Sequence, residues 1–301
     1  CAMRMWIYLD SSESIQYNVW SLFVDTRQRS GILIDIIGEK TIGGVVDIGR
    51  FARFLWHTAG ASVSCCFSAK TWPLVWTQVN IIGVRSVPVI MITGGFVGMT
   101  LAYQAYEQLA GMGLEEHLGA LVNISVVKEL GPVLSGVMLA GRVGGALTAE
   151  LGTMNVTEQI DAVRSMGTDP MRYLVAPRVL ACLLLTPFLI VYADLLGVLG
   201  GYFVSSTLFG INGHAYWEFS SQSVALWDIA IGVVKGFFFG AAIAAASCYK
   251  GFTCKQGAHG VGQACTDAFV ASFISILALD FALAVIFKAL YNTLYPLKSL
   301  I

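Results

Sequence analysis

The sequence predicts an all-α membrane protein with about five transmembrane helices, an N-terminal interfacial helix, a short cytoplasmic helix between two spans and a small partial α/β segment at the N-terminus. Three observations predict this class. Hydrophobic residues make up 56% of the chain and charged residues 12%, whereas soluble domains carry roughly 25% charged residues. Apolar stretches long enough to span a bilayer recur. Lys and Arg cluster in alternate connections between those stretches.

Five stretches satisfy the requirement of about 20 mostly apolar residues per span. They are Ser86–Gln108, Leu118–Ala140, Val179–Leu208, Ile229–Tyr249 and Phe269–Tyr291. Small residues recur within them at four-residue spacing, which lets helix backbones approach closely. We therefore expect a tightly packed bundle, and such faces also suit dimerisation. The small-residue faces are Gly94/Gly98, Gly136/Ala140/Gly144, Gly197/Gly201 and Gly236/Gly240/Ala244.

The distribution of Lys and Arg predicts the orientation. Residues 1–72 contain seven of them, the connection after the second span contains four, and the connection after the fourth contains Lys250 and Lys255. The connections after the first and third spans contain none. By the positive-inside rule the N-terminus is expected in the cytoplasm and the C-terminus outside. The net charge of −1 gives no indication of nucleic-acid binding.

Residues 43–84 are expected to form interfacial and connecting helices before a membrane domain at 85–301. From Gly43 to Phe67, apolar residues are interleaved with Arg50, Arg53 and His57. This pattern predicts an amphipathic helix in the cytoplasmic interface, with a plain soluble helix as the alternative. A short connecting helix is expected to begin at Trp72, with aromatic residues at interface depth.

The connection between the second and third spans is expected to contain a capped helix, Val156–Met166. Asn155 followed by Glu158 is a capping-box pattern, and Gly167 before Asp169-Pro170 is typical of a helix end. Such a helix offers a surface that a partner subunit can hold, and a plain loop helix is the alternative. The residues expected to contact a partner are Val156, Glu158, Gln159, Ile160, Asp161, Val163 and Arg164.

Several motifs follow one another through this region in a fixed order. They are Lys128–Val133 (KELGPV), Ala140–Gly144 (AGRVG), Ala149–Met154 (AELGTM), Glu158–Ala162 (EQIDA), Met166–Pro170 (MGTDP) and Ala176–Arg178 (APR). Further matches are Gly95–Met99, Lys250-Gly251 and Gly260–Gly262. Together they strongly resemble the MlaE/YrbE family of ABC transporter permeases, over about Gly43 to Tyr291.

The resemblance implies a transport subunit, and no catalytic residue is expected. The permease would be a homodimer that moves phospholipids or related lipids between membranes and maintains lipid asymmetry. Its expected partners are a cytoplasmic ABC ATPase that binds Mg-ATP, and an MCE-domain lipid-binding protein across the membrane. The helix Val156–Met166 becomes the coupling helix. The motif residues that the resemblance marks as structural are Gly131, Gly141, Arg142, Gly144, Glu150 and Gly152.

Lys128 and Glu129 lie inside the second span, where ionisable side chains are costly. Adjacent residues on a helix do not face each other, so each needs its own partner or a wet cavity. Possible partners in other spans are Asp194, Lys235, Asp280 and Lys288. Interhelix ion pairs that fix packing are one interpretation; a lipid cavity lined by Lys128 or Glu129 is the other. Pro132 is expected to free a carbonyl one turn back and to kink the span beside that cavity.

Arg142 and Glu150 flank the cytoplasmic end of the second span, eight residues apart. If the helix continues, they lie roughly on one face. We expect them to hold the coupling segment against the bundle, with an interfacial anchor as the alternative role for Arg142.

Residues 1–42 differ from a minimal permease. A possible strand, Trp6–Leu9, is followed by a helix start at Asp10-Ser11-Ser12 and by a possible strand, Ile32–Ile37. This order is similar to the second half of a STAS domain, the fold of an accessory subunit in these transporters; a divergent cytoplasmic tail is the alternative. Gly38–Thr41 lacks the Gly-Lys pair of a phosphate-binding loop. The chain itself is therefore expected to bind no cofactor.

We expect a bacterial inner membrane, because no transit peptide is recognised; the plastid inner envelope is the alternative. No metal site is expected, because the cysteines form no CxxC pair and several lie in apolar runs. The competing function is an ion-coupled secondary transporter that uses the intramembrane charges. A membrane scaffold without transport is a third possibility.

Overall fold

The computed structural model describes residues 46–47, 49–66 and 71–294. Internal contacts divide the chain into two compact units, Cys1–Phe54 and Leu55–Ile301. In the first unit the described residues, 46–47 and 49–54, are helical. The STAS-like segment predicted for residues 1–42 lies outside the described residues, and so does the pattern at Gly38–Thr41.

The second unit is built from helices throughout its described part. In this unit helix α1 covers 55–66 and buries Thr58, Ala61 and Cys65, while Leu55, Trp56 and Val63 are exposed. The interfacial amphipathic helix stays a prediction. The helices that follow are α2 (Trp72–Ala110), α3 (Glu115–Val156), α4 (Gln159–Ser165), α5 (Met171–Thr207), α6 (Gly213–Ser223), α7 (Leu226–Phe252) and α8 (Ala258–Leu294).

Helices α2, α3, α5, α7 and α8 are long and apolar enough to cross a membrane, which confirms the five predicted spans. All five extend past their predicted bounds at one end or both. The connecting helix expected at Trp72 is the first part of α2, so the boundary expected at residue 84 falls inside a continuous helix. Pro73 is accommodated there because the first turn of a helix needs no N–H donor.

Short connections make consecutive spans antiparallel and give the bundle two ends. At one end α4 joins α3 to α5, and a short loop joins α7 to α8; we call this the α4 end. At the other end α6 joins α5 to α7, and a short turn joins α2 to α3; we call this the α6 end.

Helix α3 is interrupted by two π turns, Val126–Leu130 and Ala140–Gly144. In the first, the N–H of Gly131 bonds to the carbonyl of Val126, five residues back. Each π turn adds a residue to the helical turn and re-aims the side chains around it. The two turns fall on motif segments that contain Lys128, Glu129 and Arg142.

Helices α2 and α5 contact each other backbone to backbone. A Cβ at Gly94 would lie 2.7 Å from the carbonyl oxygen of Ala193, and one at Gly98 would overlap the carbonyl oxygen of Gly197. Gly236 on α7 is similarly close to Pro187 on α5, at 2.7 Å. The small-residue faces therefore pack the bundle tightly within one chain, as the sequence predicts. Their use in a dimer stays a prediction.

Replacing Gly98 by alanine is expected to separate α2 from α5, because the backbone oxygen of Gly197 cannot move aside as a side chain can. Overpacking of this kind costs about 1–3 kcal/mol of unfolding free energy. Unfolding of the purified protein in detergent would measure the loss. Gly95→Ala is the matched control, since a Cβ at Gly95 meets nothing within 4 Å. Equal loss in both variants would contradict the close approach of these two helices.

Candidate functional site

A buried lysine joins three spans near the α6 end. Lys235 on α7 is only 1% exposed. Its Nζ lies 2.9 Å from Glu129 Oε2 on α3 and 2.7 Å from Asp280 Oδ1 on α8. Two carboxylates thus compensate one buried ammonium. A charge buried at this depth without a partner would be strongly destabilising. Both Lys235 and Asp280 were among the predicted partners of the charges in α3.

The Lys235 ammonium also donates to the backbone carbonyl of Lys128, at 3.2 Å. In a regular α-helix that carbonyl would accept the N–H of the residue four positions later, and here that residue is Pro132, which has none. This contact agrees with the prediction that Pro132 frees a carbonyl one turn back, and the kink beside the cavity stays a prediction. Lys235 uses that carbonyl as its third ligand.

Lys128 itself finds a different partner, Asp228 on α7. The Lys128 Nζ lies 3.2 Å from Asp228 Oδ1, and Asp228 Oδ2 accepts the Ala225 N–H at 3.2 Å, where it helps to cap α7. Adjacent residues of α3 therefore serve separate ion pairs, as expected. The role of Asp228 was not predicted, because this residue lies just before the predicted fourth span, in an expected loop. An acidic residue three positions into a helix start is the signal that could have identified it.

These charged groups line a cavity of about 650 Å³, the charged cavity, between α3, α6, α7 and α8. Its lining includes three ammonium groups, on Lys128, Lys235 and Lys288, and two carboxylates, on Glu129 and Asp228. Within the described residues no carboxylate pairs with Lys288, which is exposed. The cavity therefore has unpaired positive charge at its edge. Pro132 does not line it; the proline ring packs against Gly232 instead.

A second cavity, the apolar cavity, lies on the other side of α3, between α3, α5, α6 and the start of α7. It measures about 580 Å³, within the range of small-molecule sites. Apolar side chains dominate its wall, and they include Val127, Val191, Leu195, Val198, Leu199 and Ile229. The two cavities share α6 as a common cover, because Trp217 and Ser221 face the apolar one whereas Gln222 and Ser223 face the charged one.

Asp194 lines the apolar cavity and has no cationic partner among the described residues. It had been a possible partner for the charges of α3, and Lys128 pairs with Asp228 instead. Its carboxylate is wedged against Gly131, where any Cβ would collide with Oδ1. That oxygen is buried and has no hydrogen-bond partner. Gly131, in the first motif, thus leaves the space that the side chain of Asp194 on α5 occupies.

A buried polar network fixes α6 over the two cavities. Asn123 on α3 donates from Nδ2 to Ser220 Oγ at 2.5 Å and accepts from the Tyr216 hydroxyl at 3.0 Å. Burial raises the pKa of Tyr216 to about 12, so its hydroxyl remains a donor. All three side chains are at least nine-tenths buried. Because both partners of each bond are buried, moving α6 away would leave polar groups unsatisfied.

At the α4 end the predicted helix is shorter than expected. Helix α3 continues to Val156, and α4 runs from Gln159 to Ser165. The capping-box prediction is wrong, because Asn155 Nδ2 donates to the carbonyl of Cys254 at 3.4 Å. The chain turns instead at Glu158, which has a positive φ of 59° and makes no side-chain cap.

The predicted helix end is correct. Gly167 has a φ of +74°, and two backbone bonds, from Gly167 to the carbonyl of Arg164 and from Thr168 to the carbonyl of Val163, complete a Schellman motif. Asp169 Oδ1 then accepts the N–H of Met171 at the start of α5.

Helix α4 exposes most of the residues predicted to contact a partner. Ile160 is 3% exposed and anchors α4 to the bundle. Val156 and Val163 are half-buried. Met166, just after α4, is 80% exposed, although its side chain is large and apolar. The exposed polar residues are Glu158, Gln159, Asp161 and Arg164.

Glu150 and Arg142 are not joined to each other. Glu150 Oε2 lies 3.3 Å from a guanidinium nitrogen of Arg178 on α5, and Arg178 also donates to the carbonyl of Leu174 at 2.9 Å. The pair ties α3 to α5 on either side of α4, the role expected for Glu150. Arg142 makes no such contact in the described part of the chain, and its predicted role in holding the coupling segment has no geometric support.

The remaining motif glycines each face a side chain of a neighbouring helix or loop. A Cβ at Gly144 would lie 2.8 Å from Ser247 Oγ, and one at Gly141 would lie 3.5 Å from the ring of Phe269. One at Gly152 would lie 3.3 Å from Val261 and 3.4 Å from Cys254 Sγ. Within the described residues, no group of three or more His, Cys, Asp or Glu side chains is arranged to hold a metal ion.

Comparison with known families accounts for this arrangement. The sequence model of the family described as Permease MlaE matches residues 75–286. The chain belongs to the MlaE permease family. The match covers all five spans in whole or in part, both π turns of α3, and α4. It also confirms the resemblance that the spaced motifs indicated.

Individual relatives agree over most of the chain. A "Probable ABC transporter permease protein" of Rickettsia typhi is 38% identical over 83% of this chain and 95% of the relative. The "Intermembrane phospholipid transport system permease protein MlaE" of Haemophilus influenzae is 34% identical over 84% and 96%. The chloroplastic protein TRIGALACTOSYLDIACYLGLYCEROL 1 of Arabidopsis thaliana is 36% identical over 72% and 62%.

Replacing Lys235 by methionine is expected to destabilise the protein strongly, because Glu129 and Asp280 would keep their charges without a cation between them. Removal of one partner from a buried ion pair costs about 3–5 kcal/mol. Thermal unfolding in detergent would measure it, with Arg164→Met as a control, since breaking the exposed Arg164–Asp161 pair costs at most about 1 kcal/mol.

A triple variant separates lost charge balance from lost packing. If Lys235→Met is combined with Glu129→Gln and Asp280→Asn, no buried charge stays unpaired, and most of the lost stability should return. A triple variant as unstable as the single one would contradict the ion-pair account.

Proposed function

We propose that this chain is the membrane-spanning subunit of an ABC transporter that moves phospholipids between membranes. Family membership supports the permease role, and the name of the Haemophilus influenzae relative supports phospholipid as the cargo. The observation that carries the proposal is the pair of cavities on either side of α3, one apolar and one charged. An amphiphile needs both environments, whereas a small inorganic ion needs no apolar cavity of 580 Å³.

In this proposal acyl chains occupy the apolar cavity and the head group occupies the charged one. Burial of acyl chains is favourable by about 0.8 kcal/mol per CH₂, although in a bilayer the chains are already out of water. The apolar cavity therefore gives a lipid a place to reside without strong net attraction. Lys288, which pairs with no carboxylate among the described residues, provides the charge that recognises the phosphate of the head group.

The energy for transport is proposed to come from a partner ATPase that binds Mg-ATP and contacts α4. Its footprint would include the exposed polar residues of α4 and Met166. The turn at Glu158 and the Schellman motif after Met166 join α4 tightly to α3 and α5. A displacement of α4 would thus act on the two helices that wall the apolar cavity.

The remaining partners follow from the same proposal. A second copy of the chain would complete a homodimer, and an MCE-domain protein would exchange lipid at the α6 end. The α4 end would face the cytoplasm of a bacterium across its inner membrane, with the plastid inner envelope as the alternative. The ion pairs of Lys128, Glu129 and Lys235 satisfy the intramembrane charges within the chain, so nothing in the site favours an ion-coupled secondary transporter.

Charge reversal on α4 should separate partner binding from folding. The double variant Arg164→Glu and Met166→Glu is expected to lose co-purification with the ATPase while its thermal stability in detergent stays unchanged, because both side chains are exposed. Glu116→Arg, at the α6 end, is the control for a charge change elsewhere. Full retention of the ATPase by the α4 variant would refute α4 as the contact.

Neutralising the unpaired lysine should weaken head-group recognition. Lys288→Gln is expected to reduce photo-crosslinking to a phosphatidylglycerol probe about fivefold, since one Lys near a membrane surface contributes about 1 kcal/mol. Lys250→Gln at the opposite end is the control, and its crosslinking should match the unmodified protein. A Lys288→Gln protein that folds and captures the probe normally would contradict a head group in the charged cavity.

A further inference from the structure

Two arginines without carboxylate partners face the same groove at the α4 end, far from both cavities. The groove lies between α2 and α3 and measures about 140 Å³. Arg85 on α2 and Arg142 on α3 line it, together with Gln78, Ser86 and Glu150. We call this set the arginine groove.

The charges of the arginine groove do not cancel. Glu150 is its one carboxylate among the described lining residues, and its Oε2 is engaged by Arg178, at 3.3 Å. In the described part of the chain no carboxylate lies within ion-pairing distance of Arg85 or Arg142. The charge of Glu150 is balanced by Arg178, so the guanidinium groups of Arg85 and Arg142 have no balancing carboxylate in the groove.

Sequence and packing place both arginines there independently. Arg142 belongs to the second π turn of α3, Ala140–Gly144. Arg85 precedes Ser86, which is 1% exposed and uses its hydroxyl to bond the carbonyl of Ile82. Buried Ile82 and Val143 form the floor of the groove. The groove therefore has an apolar base and a cationic rim, on neighbouring spans near one membrane surface.

Guanidinium groups bind phosphate in bidentate geometry, and basic pockets between spans bind the head groups of anionic lipids. We propose that the arginine groove binds the phosphate of an anionic phospholipid resident in the leaflet at the α4 end. This lipid would sit apart from the cargo, because the groove lies at the opposite end from the charged cavity. Its acyl chains would lie along the exposed residues Ile81 and Val84 of α2. The proposal depends on the membrane location of the chain and not on which lipid is transported.

The test compares anionic lipid with free phosphate on purified, delipidated protein. Mixed micelles containing phosphatidylglycerol are expected to raise the melting temperature and to leave lipid adducts in native mass spectra. Micelles with phosphatidylcholine, and inorganic phosphate in plain detergent, should do neither. Stabilisation by inorganic phosphate equal to that by phosphatidylglycerol would overturn the assignment to a lipid.

Variants locate the effect. Arg85→Gln with Arg142→Gln is expected to weaken phosphatidylglycerol binding about tenfold or more, because two charge-assisted contacts are lost. Arg172→Gln removes an exposed arginine at the same end and should bind as the unmodified protein does. If the double variant does not fold, the single variants are measured, and unchanged binding in both overturns the proposal.

Discussion

The buried ammonium of Lys235 is the interaction on which the α6 end of the bundle depends. It connects α7 to α3 through Glu129 and to α8 through Asp280, at 2.9 and 2.7 Å. Its third partner is the carbonyl of Lys128, which lies in a π turn and four residues before Pro132, a residue without an N–H. An irregularity of the backbone in α3 is therefore satisfied by a side chain of α7, as a membrane interior without water requires.

The opposite side of the bundle is held by close backbone contacts at glycine residues. Gly98 and Gly197 bring α2 and α5 into backbone contact, and Gly131 admits the carboxylate of Asp194. In a bilayer the hydrophobic effect does not drive helices together, because lipid tails are as apolar as the helix surfaces. Van der Waals packing at such close contacts holds the helices together instead. Helix α3 is thus held by ion pairs to α7 and α8 on one side and by close packing with α2 and α5 on the other. One cavity lies on each of these two sides of α3.

The sequence predicted the spans well, since apolar length and the alternation of Lys and Arg depend only on the bilayer. It also identified Lys235, which pairs with Glu129, whereas Asp280 pairs with Lys235 and not with a charge of α3. It did not predict the π turns, because nothing local distinguishes five-residue from four-residue hydrogen bonding. It failed at Asn155, because the competing acceptor, the carbonyl of Cys254, is 99 residues away. Local capping rules cannot anticipate a tertiary partner.

The position of α4 relative to the cavities follows from how it is connected. Two residues separate it from α3, and five separate it from α5, with the α5 side closed by Gly167 and Asp169. Val127 and Lys128 lie about 30 residues before α4 on α3, which is roughly 45 Å along a helix. A tilt of α3 at its α4 end would therefore displace the residues of α3 that line both cavities. The Asn123–Tyr216–Ser220 network would resist that movement, because it holds α6 to α3 at the same level. Either cavity can therefore open in two ways. Helix α6 moves together with α3, or the buried hydrogen bonds between them break.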